Sequence, residues 1–142
     1  MPIFTTAGDH HQNNWLVDGS PEFSIFPGRT IAEFSSDLPI HLKVGNKVFG
    51  AFHIEDKHRH WFRKQGFESA PHLVHHKLSQ SGTVYCTEVG AKFKIMMQLK
   101  PSALLVMEYK EYSIPHFSVT TLYLPRGTLD GTVVGRYPGR RR

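Results

Sequence analysis

After Gly82 the residue period changes from helical to strand-like, and this change constrains the fold more than any other feature. "TVYCTEV", "KFKIMMQL", "SALLVMEYKEY" and "PHFSVTTLYL" are four runs rich in β-branched and aromatic residues. Gly90-Ala91, Lys100-Pro101 and Ser113–Pro115 punctuate them. Connections this short join antiparallel neighbours. Before the change the pattern is helical. "HIEDKHRHWFRKQGF" predicts a helix that stops at Gly66. "SAPHLVHHKLSQSG" predicts a second, capped by Ser69 with Pro71 in its first turn. The expected class is α+β: two helices, then a four-stranded antiparallel sheet.

Upstream, "IHLKVGNKVFGAF" reads as a hairpin turning at Gly45-Asn46. Residues 1–38 read as an extension packed on the domain, with a short strand at Phe23–Phe26 and a helical turn at Thr30–Phe34. Residues 39–125 form the α+β domain. Residues 126–142 are a basic C-terminal segment, expected to form a short edge and a flexible end. A chain of 142 residues that is 39% apolar suits one domain with a real core.

Several classes are disfavoured. No apolar run approaches the roughly 20 residues that span a bilayer. The N-terminus lacks a basic region followed by an apolar one, so it does not read as a signal peptide. Cys86 is the only cysteine, which removes an internal disulfide and a cysteine-based zinc cluster; in its strand it reads as a small buried filler. "VGNKVFG" lacks the spacing and the Ser/Thr of a phosphate loop. No serine nucleophile elbow is present, and the carboxylates are too scattered for a two-metal site. His72 and His76 have metal-compatible spacing, but Leu73 stands where a zinc hydrolase has Glu. A solvated or nucleic-acid-facing helix fits them better, and no cofactor or metal is expected. Net charge is +5, which favours polyanionic partners, although Arg140, Arg141 and Arg142 supply three of those charges.

The chemistry concentrates in "GAFHIEDKHRHWFRKQGF". At about 100° per residue, Ile54, His58, Trp61 and Gln65 share a sheet-facing stripe, with Phe62 beside it. His53, Lys57, His60 and Lys64 share a basic stripe. His53 and His58 are about 140° apart on an ideal helix. They are therefore expected to face one site only if His53 precedes the helix proper, at the junction with a strand. In the last strand, simple alternation puts Phe117, Val119, Thr121 and Tyr123 on one face and Ser118, Thr120 and Leu122 on the other. His116 and Arg126 bracket that strand.

"GAFHIEDKH" resembles the helix motif of the barnase–EndoU–colicin–RelE-like (BECR) toxin ribonucleases. The likeness covers about residues 47–125 and extends to the element order and to the hydroxyl-bearing last strand, "FSVTTLYLP". Many members are toxin domains of bacterial polymorphic and contact-dependent systems, or phage-associated proteins. The resemblance implies metal-independent RNA cleavage, with tRNA among the candidate substrates: the 2′-hydroxyl attacks phosphorus and leaves a 2′,3′-cyclic phosphate. It also implies His53 and His58 as the acid–base pair, Lys57 as phosphate stabiliser, and Thr121 and Tyr123 as further catalytic groups. His60, Thr120, His116 and Arg126 would bind substrate. An acidic immunity or antitoxin protein would be the partner, and the site of action the cytoplasm of a host or target cell, reached by secretion as part of a larger protein. The rival expectation is a non-catalytic nucleic-acid- or protein-binding module, for example a phage-encoded regulator or inhibitor.

Overall fold

In chain order the elements are β1 (Phe4–Thr6), β2 (Trp15–Val17), β3 (Ser24–Phe26), β4 (Leu38–His41), α1 (Gly50–Lys64), α2 (Ala70–Lys77), β5 (Gly82–Val89), β6 (Lys92–Leu99), β7 (Ala103–Lys110), β8 (His116–Tyr123) and β9 (Thr132–Tyr137). The computed structural model describes residues 2–31, 34–89, 92–99, 103–111, 114–124 and 132–140. The class is α+β, with two helices and mostly antiparallel pairing among the described residues. Among the described residues, no helix is long and apolar enough to cross a membrane.

β5 to β8 form the expected antiparallel meander, yet the sheet is larger than four strands. Its order is β3-β4-β8-β7-β6-β5-β9. β9 extends one edge by pairing with β5, so the basic C-terminal segment does supply an edge strand. β3 and β4 extend the other edge, which makes part of the N-terminal extension integral to the sheet. The Phe23–Phe26 expectation becomes β3. The helical turn at Thr30–Phe34 falls partly outside the described residues. β4 pairs with β8 in parallel at Ile40↔Phe117 and His41↔Ser118. The two outermost strands also meet. The Tyr137 hydroxyl donates to the Leu78 carbonyl, so the bond between it and Ser24 Oγ must be donated by Ser24. The sheet therefore curls until its edges touch through side chains.

The predicted hairpin at Gly45-Asn46 does not form. Gly45 takes a positive φ of 77° and Gly50 one of 80°, and the chain folds straight into α1. Ala51 N donates to the Lys43 carbonyl and Phe52 N to the Val44 carbonyl. Backbone carbonyls thus serve first-turn donors that a side-chain cap would otherwise take, and Phe49, at the cap position, provides no such cap. α2 follows the sequence expectation: Ser69 Oγ accepts from His72 N.

Ile54 and Phe62 of α1 and Leu73 and Val74 of α2 are fully buried against Ile95, Met97, Leu105, Met107, Val119 and Leu122. Burial of side chains of this size contributes about 1.5–3 kcal/mol each. α1 also lies along β8 beyond the short β4 pairing.

Candidate functional site

The face of β8 is decided by one irregularity. β7 and β8 pair as Leu104↔Tyr123, Leu105↔Leu122, Val106↔Thr121, Met107↔Val119, Glu108↔Ser118, Tyr109↔Phe117 and Lys110↔His116, with a shift between Val106 and Met107. Thr120 is the extra residue, a β-bulge. Directly opposed residues share a face. Phe117, Val119 and Leu122 therefore go with the core residues Leu105 and Met107. His116, Ser118, Thr121 and Tyr123 go with Glu108 and Lys110 on the outer face. Simple alternation had grouped Thr121 and Tyr123 with Phe117 and Val119, and Leu122 with Ser118. The bulge corrects this and gathers the polar groups of the strand on one side.

α1 brings two histidines to that side. The His58 ring stacks on Tyr123, with centroids 5.5 Å apart and an interplanar angle of 22°. The His53 ring meets His58 edge-on at 6.0 Å. His53 lies within α1, not before it as expected. It still reaches His58, because its Nδ1 donates to the Lys47 carbonyl at 2.8 Å and fixes the ring. In the neutral ring that bond leaves Nε2 to carry the lone pair. Burial, then the charges of His53 and Lys57, lower the His58 pKa below the usual imidazole value. His58 is therefore a neutral, oriented imidazole at pH 7.

The other sequence-predicted residues distribute as follows. Lys57 is exposed and one turn from His53. His60 is exposed on the outer side of α1 with Lys57, Arg63 and Lys64, about 200° from His58; the fold does not turn it toward the His58–Tyr123 pair. Thr121 is on the right face, but its Oγ1 is buried with no hydrogen-bond partner among the described residues. Thr120, at the bulge, lines a neighbouring cavity. Arg126 lies outside the described residues. His72 and His76 pack on Phe67, with centroids 5.2 and 5.1 Å away. No group of three potential metal-ligating side chains occurs among the described residues.

His116 is 3% exposed and belongs to a cluster that sequence reasoning missed. Its Nδ1 donates to the Ile114 carbonyl at 2.7 Å, so Nε2 of the neutral ring accepts from Lys43 Nζ at 2.8 Å. The His41 ring stacks on it at 4.4 Å. Burial first, then the electrostatic influence of His116 and Lys43, pushes the His41 pKa down to about 4. Burial first, then Lys110, pushes Lys43 down to about 8. The signal was present in "PIHLKV": His41 and Lys43 alternate with the buried Ile40 and Leu42. In the sequence the same pattern is equally that of one arm of the hairpin that does not form.

The site thus consists of paired imidazoles over a tyrosine, beside a lysine–histidine cluster on the same sheet face. No protein-family model, curated protein or solved structure matches the chain.

Proposed function

We propose that this chain is a metal-independent endoribonuclease, a toxin or toxin-like domain of the BECR kind. The observation that carries the reading is the His53–His58–Tyr123 cluster, which α1 and β8 hold together. Cleavage by 2′-hydroxyl attack needs a base for that hydroxyl, an acid for the departing 5′-oxygen, and a cation on the phosphate. His58, held neutral by its surroundings, takes the 2′-proton. His53, fixed through Nδ1, acts in its imidazolium form and gives the Nε2 proton to the leaving oxygen. Lys57, exposed one turn from His53 and near enough to lower the His58 pKa, stabilises the charge on the phosphate oxygens, and Tyr123 positions His58. The helix-then-meander order supports the family assignment.

RNA is the substrate class, with tRNA a specific candidate. The place of action is the cytoplasm of a host or target cell, and an acidic immunity protein would neutralise the basic face. Expression in bacteria tests this reading. Growth should stop, and new RNA 3′ ends should appear that His53→Ala and His58→Ala abolish. Unchanged growth and intact RNA with wild-type protein would refute it.

One observation favours a second reading. The exposed cations Lys57, Arg63 and Lys64 on α1 could hold phosphates without chemistry. Salt-sensitive RNA binding with no products would identify such a module.

A further inference from the structure

We propose that the cavity lined by Lys43, Ser118 and Thr120 binds a phosphoryl group distinct from the one at the His53–His58 pair. The cavity has a volume of about 210 Å³, and its lining also includes Glu108, Lys110 and Phe49. Pockets for drug-sized ligands run from about 300 Å³ upward, so this one suits a phosphoryl group with part of a sugar.

Its polar lining is built, not incidental. Lys43 is 3% exposed, and so is Ser118. The Lys43 ammonium is aimed by His116 Nε2, which is set in turn by the Ile114 carbonyl and the stacked His41 ring. Lys110 and Glu108 are bridged at 3.2 Å. Two lysines against one carboxylate leave the lining net positive. Ammonium and hydroxyl donors converging in a partly dry site are suited to phosphate oxygens. The depressed pKa of Lys43 agrees with an ammonium that gains from a buried anion.

The cavity shares the outer sheet face with Thr121 and Tyr123. Ser118 and Thr121 oppose Glu108 and Val106, which are two positions apart on the partner strand, or roughly 7 Å along it. A neighbouring phosphate of the same RNA strand is therefore one source of the ligand; that assignment rests on the ribonuclease reading. Free phosphate is the other source.

The test follows the His116 ring resonances by NMR during titration with inorganic phosphate, then with an uncleavable 2′-deoxy trinucleotide carrying or lacking a 5′-phosphate. The expected result is a saturable His116 response to inorganic phosphate in wild type and in His58→Ala. Lys43→Met should weaken it about tenfold or more. A response to the trinucleotide lacking the 5′-phosphate assigns the cavity to a backbone phosphate of RNA. A response only to the phosphorylated one and to free phosphate assigns it to a terminal or free phosphate. If Lys43→Met does not fold, the Lys110→Gln/Ser118→Ala variant should show the same weakening. A wild-type His116 signal indifferent to phosphate, or a response equally strong in folded Lys43→Met or in the double variant, overturns the proposal. Failure of the ribonuclease reading would instead show as absent RNA cleavage with the phosphate response intact.

Discussion

At the residue scale, the site depends on His58 being kept neutral by its surroundings. His58→Ala removes the proposed base and should lower cleavage by about 10²–10⁴-fold. His53→Ala should lower it by a similar factor, because each ring serves a different proton transfer. Tyr123→Leu should cost less, roughly tenfold, since it removes only the stacked support of His58; single-turnover rates on a short RNA would measure all three. Imidazoles held below their ordinary pKa by the fold also lower stability in acid. His41 and His75 are both held down to about 4 from an ordinary 6.5, chiefly by burial, while His58, His76 and His116 shift in the same direction. Between those pH values the unfolded chain binds more protons than the folded one. Stability must therefore fall as pH falls through that window. His41, 7% exposed, accounts for on the order of 3 kcal/mol of this by itself. Urea melts from pH 7 to 4 should show the loss, and His41→Phe should reduce it.

At the element scale, the entry to α1 is the sensitive joint. Gly50 has a φ of 80°, and a Cβ there would sit 2.8 Å from the Lys43 carbonyl oxygen. Gly50→Ala should cost at least about 2 kcal/mol and should lower activity as well, because the same joint places both Lys43 and His53. A thermal melt alongside cleavage assays on the folded fraction would check both effects. This joint also shows what the sequence made legible. The periodicity revealed α1, α2 and the four-strand meander, since each is decided by local pattern. Gly45-Asn46 was misread because a turn dipeptide is equally consistent with a hairpin and with a loop into a helix; long-range pairing of β4 with β8 decided between them. The outer-face site was half legible. His53, His58 and Tyr123 could be named from motif and strand. Their side of the sheet could not, because the bulge at Thr120 leaves no periodic trace.

At the scale of the whole molecule, the sheet edges are joined by one small polar network. Ser24 on β3 bonds Tyr137 on β9, and Tyr137 bonds the carbonyl after α2. Tyr137→Phe keeps the buried ring but removes the acceptor of Ser24 Oγ and one of two donors to the Leu78 carbonyl, which keeps the bond from Arg140 N, so it should destabilise by about 1–3 kcal/mol, read from urea unfolding, with the His58 site unaffected. That separation of stability from activity is expected because β9 and β8 stand on opposite sides of the meander. The central claim concerns chemistry at the α1–β8 contact, and it is tested by incubating purified protein with a short RNA in excess chelator and determining the product ends. Fragments ending in 2′,3′-cyclic phosphate, absent with His53→Ala and with His58→Ala, are the predicted result. Intact RNA with the wild-type protein, or cleavage that persists unchanged in both variants, would contradict it.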